Sequence, residues 1–246
     1  MFVQKKGLRQ KAFRIPYRGV QVVYYSIPPH LPQRPFLLDN YSMKLFLTSS
    51  VHGVAHDIAK RVDLSRAREL VFIDTAAEPE KGDKAWLKKD RRSLVDAGFS
   101  VTDYTLTGKS RNELKRDLEK FDYLYLSGGN TMYLLEQSRK SGFFSLVQEL
   151  VREKGKIYIG TSAGSIIAGP KIPDYLLDKG ERPGDITGYG FVNFTIAPHW
   201  GDEDFKDKYL QDRLKIAYRR DQVPLILLTN SQYVLIDGDR MEIIQV

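Results

Sequence analysis

The sequence predicts an α/β protein whose sheet is mostly parallel. From Met43 onward, short apolar runs alternate with longer segments in which apolar residues recur at helical spacing and charged residues fill the opposite face. This alternation is typical of parallel sheets flanked by helices. No internal repeat, low-complexity tract or linker interrupts residues 43–246, so we expect one domain there.

The elements are predicted in the following order. Five strands form the main series, at 44–48, 70–74, 101–105, 123–126 and 157–159. Helices are predicted between them, at 84–97, 112–120 and 131–154. A loop-rich segment with several Gly and Pro residues follows, and we expect it to cover the site, at 170–190. The chain then ends with a helix at 202–219 and two closing strands at 224–228 and 233–236.

Length and composition exclude several classes of protein. The 246 residues are 42% hydrophobic and 28% charged, which is ordinary for one globular domain with a full core. The chain has no cysteine, which excludes disulfides, thiolate metal sites and a cysteine nucleophile. No apolar run approaches the roughly 18 residues that span a bilayer, and no secretion signal is evident. We therefore expect a cytoplasmic protein without a membrane segment.

Most of the positive charge lies in the first 42 residues. They hold seven Lys or Arg residues and one Asp, so they account for six of the seven net positive charges. A basic extension of this kind could contact RNA or another acidic surface. We favour the simpler interpretation that residues 1–42 are a disordered or non-native extension and that the catalytic domain spans residues 43–246. On this interpretation, nucleic acid is not an expected partner.

The candidate nucleophile is Ser162, in the sequence Gly160-Thr161-Ser162-Ala163-Gly164. This Gly-x-Ser-x-Gly pattern follows a predicted strand and precedes a segment that can open a helix. A tight turn between two such elements lifts the serine hydroxyl above the sheet. The alternative is an unreactive glycine-lined turn, which the pattern alone does not exclude.

A serine alcohol needs a general base, and the domain offers His52, His56 and His199. His199 follows an apolar strand, which predicts that it lies with Ser162 at the carboxyl edge of the sheet, where open α/β sheets keep their sites. A structural histidine packed beside Trp200 is the alternative. His52 and His56 are four residues apart, but no matched carboxylate completes a metal site. A loop or capping role is favoured for both.

A second glycine-containing turn is predicted at the same edge, in Ser127-Gly128-Gly129-Asn130-Thr131. It follows the strand at 123–126 and opens a helix, so its backbone amides could bind an anion. In a hydrolase, the amides of Gly129 and Ala163 would form the oxyanion hole. A phosphate site or a plain turn is the alternative.

Together these blocks resemble peptidase family S51, which includes aspartyl dipeptidase and cyanophycinase. The resemblance covers residues 43–246 and rests on three blocks in the family's order and spacing, at 125–131, 160–165 and 198–199. It implies a flavodoxin-like sheet related to class I glutamine amidotransferases, with a serine in place of their cysteine. It also implies that Ser162 attacks a peptide carbonyl and that His199 accepts and returns the proton. The amides of Gly129 and Ala163 would hold the oxyanion.

The same resemblance implies a short peptide substrate and no metal or cofactor. Both a monomer and a homodimer are compatible with it.

The first departure from the family's pattern concerns the acidic partner that orients the base. The family places a carboxylate either between the serine and the histidine or near the start of the last hairpin, where this chain has Asn230. The acids between the two catalytic candidates are Asp174, Asp178, Glu181 and Asp185. We assign Asp174 as the partner of His199, with Asn230 as the neutral alternative.

The second departure concerns substrate specificity. Aspartyl dipeptidases need a cation to bind the carboxylate of an N-terminal Asp. Arg213 matches one expected basic position, and we assign it to substrate binding together with Asn130. Leu210 occupies another basic position, so we do not expect specificity for Asp-X peptides to carry over.

Two other functions stay open on the sequence. An esterase of the α/β-hydrolase class shares the Gly-x-Ser-x-Gly pattern, but its histidine usually lies far downstream, whereas only 37 positions separate Ser162 from His199 here. A non-catalytic binding protein on the same scaffold would explain the missing hairpin acid, and its basic extension could reach nucleic acid.

Overall fold

A computed structural model describes residues 43–176, 184–220 and 223–246. The predicted extension at residues 1–42 lies outside the described residues, as do Asp178 and Glu181. The described chain is an α/β fold of the predicted class, with a mostly parallel sheet between two layers of helices.

The strands of the described residues form one large and one small sheet. They are β1 Lys44–Thr48, β2 Glu69–Ile73, β3 Ser100–Tyr104, β4 Tyr123–Leu126, β5 Ile157–Thr161, β6 Thr195–Ala197, β7 Leu225–Leu227, β8 Gln232–Asp237 and β9 Arg240–Gln245. The large sheet has the order β3-β2-β4-β5-β1-β8-β9. Strands β1 to β5 pair in parallel, and β8 and β9 add an antiparallel hairpin. The first four positions, β3-β2-β4-β5, match the flavodoxin-like order, and β1 takes the fifth position.

Helices connect these strands. They are α1 Ala55–Lys60, α2 Ala85–Asp96, α3 Arg111–Leu118, α4 Thr131–Lys140, α5 Phe143–Gln148, α6 Ala163–Ile167, α7 Glu203–Asp207 and α8 Leu214–Arg220. Two π-helical segments extend α5 and α7, at Glu149–Glu153 and Lys208–Arg213. None of the helices in the described part of the chain has the length and apolar content that crossing a bilayer requires.

Strand β1 illustrates why the sheet is buried on both faces. Leu45 and Leu47 enter one apolar cluster and Phe46 enters the other, because successive side chains of a strand alternate in direction. Residues of α3 to α6 complete the first cluster, and residues of α1 and α2 complete the second. Each fully buried side chain of this size stabilises the fold by roughly 1.5–3 kcal/mol. This burial fixes the strand ends that carry the site.

Three elements differ from the prediction. The single helix expected at 131–154 is broken at Gly142, whose φ of 76° ends α4 and starts α5. Helix α1 was not predicted, because it begins only after Gly53, at Ala55. Strand β9 was not predicted either, since most of its side chains are exposed and two of them are charged.

The expectation that His199 follows a strand of the main sheet is wrong. Strand β6, which precedes His199, pairs with β7 in the separate two-stranded sheet. The apolar run was recognised, but its partner depends on long-range contacts that the pattern does not contain.

Gly164 provides a test of how closely α6 approaches the main sheet. A Cβ at this position would lie 2.2 Å from the carbonyl oxygen of Leu126, so Gly164→Ala forces α6 away from β4. We expect a loss of about 1–3 kcal/mol in the free energy of unfolding, measured by urea denaturation. Gly184→Ala is the control, because a Cβ there meets no atom of the described residues within 4 Å. Equal stability of the two variants would contradict this packing.

Candidate active site

Ser162 lies at the turn between β5 and α6. Strand β5 ends at Thr161, and α6 begins at Ala163. Ser162 has φ 48° and ψ −105°, a backbone conformation that residues other than glycine rarely adopt. A strained strand-to-helix turn of this kind raises a serine above the edge of the sheet.

Hydrogen bonds to β1 hold this turn in place. The amide of Ser162 donates to the carbonyl oxygen of Thr48 at 3.1 Å. The Ser165 hydroxyl lies 2.7 Å from the same oxygen and 2.8 Å from the carbonyl oxygen of Gly160. The flanking glycines are required by close packing, since a Cβ on Gly160 would lie 2.6 Å from the carbonyl oxygen of Gly164. The glycines of the pattern therefore serve the geometry of the turn.

The Gly128-Gly129 turn lies against Ser162. A Cβ on Gly128 would be 3.3 Å from the Cβ of Ser162. Gly129 has φ 126°, and a Cβ there would lie 2.2 Å from the carbonyl oxygen of Ala76, so only glycine fits. Within the described residues, no backbone carbonyl accepts from the amide of Gly129 or Ala163. Both amides can therefore donate to a bound group.

His199 reaches Ser162 from the small sheet. Its Nε2 lies 3.1 Å from the Oγ of Ser162, within hydrogen-bond range. The His199 backbone has φ 64°, and its amide donates to the Oγ of Ser49 at 2.7 Å. Ser49 is fully buried at the end of β1. The imidazole stacks on Phe205, with ring centroids 4.3 Å apart, so backbone and ring are both held.

Asn230 contacts the other ring nitrogen of His199. Its Oδ1 lies 2.9 Å from Nδ1, and the Ser49 hydroxyl donates to the same Oδ1 at 2.8 Å. The Nδ2 of Asn230 donates to the Oδ2 of Asp202 at 2.9 Å. Gly53 lets the segment after β1 approach the turn between β7 and β8, because a Cβ there would lie 2.4 Å from the carbonyl oxygen of Asn230.

Asp174 is not brought to His199. It begins the short turn Asp174–Leu176, and Asn230 holds the place beside Nδ1 that an acidic partner would take. The assignment of Asp174 as the orienting residue therefore needs correction. The physical reason is that the turn between β7 and β8, not the loop after Ser162, delivers a side chain to the imidazole.

Burial lowers the pKa of His199 below its usual value. The hydrogen bond to Asn230 and the negative charges of Asp202 and Asp90 raise that pKa, while the positive charge of Arg213 lowers it further. The net direction is downward. At neutral pH, the ring is therefore in the uncharged form that can accept a proton.

Arg213 and His199 both contact the ring of Phe205. Its guanidinium lies over the rings of Tyr175, Phe205 and Tyr209, at 5.8, 5.7 and 5.0 Å from their centroids. Phe205 in turn stacks on His199. The structure thus brings this predicted substrate-binding residue close to the imidazole.

Two other residues singled out in the sequence have local contacts. The Oδ1 of Asn130 caps α4 by accepting from the amide of Tyr133 at 2.9 Å, and its role in substrate binding stays a prediction. The Nδ1 of His52 lies 3.1 Å from an oxygen of Asp90 and 2.8 Å from the Oγ of Ser50. This arrangement fits the loop role favoured for His52.

A cavity of about 240 Å³ is lined by residues between positions 200 and 210, directly after His199 in the sequence. Trp200, Tyr209 and Leu210 give it apolar walls. Its charged lining residues are Asp202, Glu203 and Lys206, and the last two pair with each other at 3.1 Å. Trp200 and Tyr209 pack edge to face, with centroids 5.5 Å apart. The cavity can accept an apolar group, and the charge of Asp202, which no lysine or arginine in the lining pairs with, disfavours an acidic one.

Three residues at this site escape prediction from the sequence. Ser49 carried a usable signal, since it directly follows a strand at the carboxyl edge. The sequence predicts Asp202 only as the first residue of a helix. It does cap α7, since it accepts from the amide of Asp204 at 3.1 Å. Phe205 has no signal that distinguishes it from an ordinary core aromatic.

Comparison with known proteins places this geometry in a family. The model of peptidase family S51 matches residues 45–244. The uncharacterized peptidase PM1590 of Pasteurella multocida is 29% identical over 201 residues, which cover 80% of this chain and 94% of that protein. Peptidase E of Streptomyces coelicolor is 29% identical over 154 residues, which cover 61% of each chain.

A solved structure shares the fold. A Listeria monocytogenes protein provisionally named peptidase E superimposes with a TM-score of 0.73 and 26% sequence identity. The match covers 83% of this chain and 99% of that one. The family match spans nearly the whole of residues 43–246, and it includes both the Ser162 turn and His199. The chain is therefore a peptidase and belongs to peptidase family S51.

Proposed function

We propose that the protein is a serine-type peptidase that hydrolyses short peptides through an acyl-enzyme on Ser162. The observation that carries this proposal is the 3.1 Å contact between His199 Nε2 and Ser162 Oγ. A hydroxyl at this distance from a neutral imidazole can pass its proton to the ring as it attacks a carbonyl. The strained turn at Ser162 supports the same role, because it directs the hydroxyl toward bound substrate.

The reaction follows from these two side chains. Ser162 Oγ forms a bond to the substrate carbonyl carbon, and its proton moves to His199 Nε2. The tetrahedral intermediate then expels the amine, which takes that proton from His199. In the second half, water attacks the acyl-enzyme and gives its proton to His199, which returns it to Ser162. The products are an acid and an amine, and the enzyme is restored.

The amides of Gly129 and Ala163 stabilise the oxyanion in this proposal. Ala163 directly follows the nucleophile and begins α6, so its amide belongs to the positive end of the helix. Gly129 is held by contact with Ala76, so its amide does not need to reorganise during the reaction. Removing one such donor costs other enzymes about 3 kcal/mol of transition-state stabilisation.

The surroundings of His199 favour short peptides with an apolar side chain. The cavity lined by the residues that follow it has walls of Trp200, Tyr209 and Leu210, and the Asp202 carboxylate would repel the side chain of an N-terminal Asp, since Glu203 and Lys206 offset each other. Arg213 lies among aromatic rings next to His199 and can pair with the free carboxylate of a short peptide. We therefore expect dipeptides with an apolar first residue to be better substrates than Asp-X dipeptides.

Ser162→Ala removes the nucleophile. We expect kcat on a dipeptide panel to fall by about 10⁴-fold or more, because no other group can form the acyl-enzyme. The measurement is chromatographic detection of the released amino acids, with apolar-X and Asp-X dipeptides compared in the same panel.

Ser165→Ala is the matched control within the same turn. It removes a buried hydroxyl that contacts only backbone oxygens, so we expect a stability loss of about 1 kcal/mol and kcat within about tenfold of wild type. Retained activity in Ser162→Ala would count against the proposal. So would a wild-type protein that cleaves no member of the panel.

The activity should fall in acid as His199 becomes protonated. Burial lowers the pKa of His199, so the neutral base persists below its usual pKa and the acid limb of kcat/KM should have its midpoint below about 6.5. The measurement is kcat/KM against pH for the best dipeptide. A wild-type midpoint above 6.5 would contradict this account.

A further inference from the structure

Asp202 stands at the far end of the hydrogen-bond chain that leads to Ser162. Its Oδ2 accepts from Asn230 Nδ2 at 2.9 Å. Asn230 Oδ1 is 2.9 Å from His199 Nδ1, and His199 Nε2 is 3.1 Å from Ser162 Oγ. Four side chains are thus connected in one line, and the line ends in a half-buried carboxylate.

Asp202 sets the direction of every hydrogen bond in this line. An ionised carboxylate only accepts, so the amide NH₂ of Asn230 must face it and the amide oxygen must face His199. The amide oxygen also only accepts, so the proton of the neutral imidazole must be on Nδ1. Nε2 is then left with a lone pair for the hydroxyl of Ser162. The unproductive tautomer, with the proton on Nε2, cannot accept from that hydroxyl.

The two hydrogen bonds of Ser49 favour the same orientation of the Asn230 amide. Its Oγ accepts from the backbone amide of His199 at 2.7 Å, so its own proton is free to be donated to Asn230 Oδ1 at 2.8 Å. Asn230 alone could rotate its amide and present NH₂ to His199. Asp202 and Ser49 together hold the amide in the productive orientation, since each satisfies one end of it.

We propose that Asp202 is the positioning carboxylate of this peptidase and that it acts on His199 through the side-chain amide of Asn230. In a Ser-His-Asp triad, one acid both orients the imidazole and balances the charge that it gains. Here Asn230 orients the ring, and Asp202 supplies the charge from one side chain further away. The catalytic part of this inference rests on the proposed function, whereas the direction of the hydrogen bonds from Ser162 to Asp202 does not.

The electrostatic effect of Asp202 has a definite sign. Its negative charge raises the pKa of His199, as does that of Asp90 on α2, while burial and the charge of Arg213 lower it. Loss of the Asp202 charge alone should therefore lower the pKa of His199 further. It should also destabilise the imidazolium that forms during the reaction.

Asp202 also caps α7, and the experiment must separate this role from the proposed one. Asn caps helices about as well as Asp, so Asp202→Asn keeps the acceptor for the Asp204 amide and removes the charge. Asp204→Asn is the matched control, because Asp204 is exposed and an equal charge is lost two residues away. The other charges on α7 near this point, Glu203 and Lys206, pair with each other.

Steady-state kinetics with the best dipeptide test the catalytic part. We expect Asp202→Asn to lower kcat by about 10- to 100-fold, with KM within about threefold and the acid limb shifted to lower pH. Asp204→Asn should stay within about twofold of wild type. In an Asn230→Ala background, the hydrogen-bond chain is already broken and only the through-space charge of Asp202 acts on His199, so Asp202→Asn should lower kcat by a smaller factor than it does in the wild type. A kcat of Asp202→Asn within twofold of wild type, or an equal loss in both backgrounds, overturns the proposal.

Histidine NMR tests the polarity without any need for hydrolysis. The chain has four histidines, so the ring nitrogens of His199 can be assigned by comparison with His199→Gln. At a pH above the pKa of the ring, wild type should show the Nδ1-protonated tautomer, and Asp202→Asn should populate the Nε2-protonated one. An unchanged tautomer in Asp202→Asn overturns the proposal. A changed tautomer in a protein that cleaves no peptide supports it and counts against the proposed function alone.

Discussion

The geometry of this site depends on the hydrogen bond between His199 Nδ1 and Asn230 Oδ1, 2.9 Å long. It joins the loop after β6 to the turn between β7 and β8, and the two residues are 31 positions apart in the sequence. Ser49, at the end of β1, contacts both partners, since it accepts from the His199 amide and donates to Asn230. A buried strand of the main sheet therefore sets the position of a base that comes from the small sheet.

Ser162 and His199, whose side chains contact each other, both have strained backbone conformations. Ser162 and His199 have φ of 48° and 64°, and Lys84 is the one other described residue besides glycine with a positive φ. Such conformations cost about 1–3 kcal/mol each and persist only where surrounding contacts impose them. At Ser162 those contacts come from Thr48 and Ser165, and at His199 they come from Ser49 and the Phe205 ring. The well-packed sheet offsets the strain and keeps the two side chains within reach of each other.

The sequence predicts what local patterns determine. The apolar runs placed β1 to β5 to within a residue or two at most of their ends, and two glycine-rich turns indicated where a hydroxyl and free amides would meet. It does not predict what depends on distant contacts. The pairing of β6 with β7 and the approach of the turn between β7 and β8 to the end of β1 determine that Asn230 rather than Asp174 meets the imidazole. The role of Asp202 depends on its contact with Asn230, so the sequence alone does not identify it.

The most direct test of the account is a crystal structure of the protein treated with a serine-reactive peptidyl phosphonate. The account predicts a covalent bond from phosphorus to Ser162 Oγ, with a phosphoryl oxygen within about 3.1 Å of the Gly129 and Ala163 amides. It also predicts that Asn230 still contacts Nδ1 of His199 in that adduct. An adduct on another residue, or a phosphoryl oxygen directed away from both amides, would contradict it.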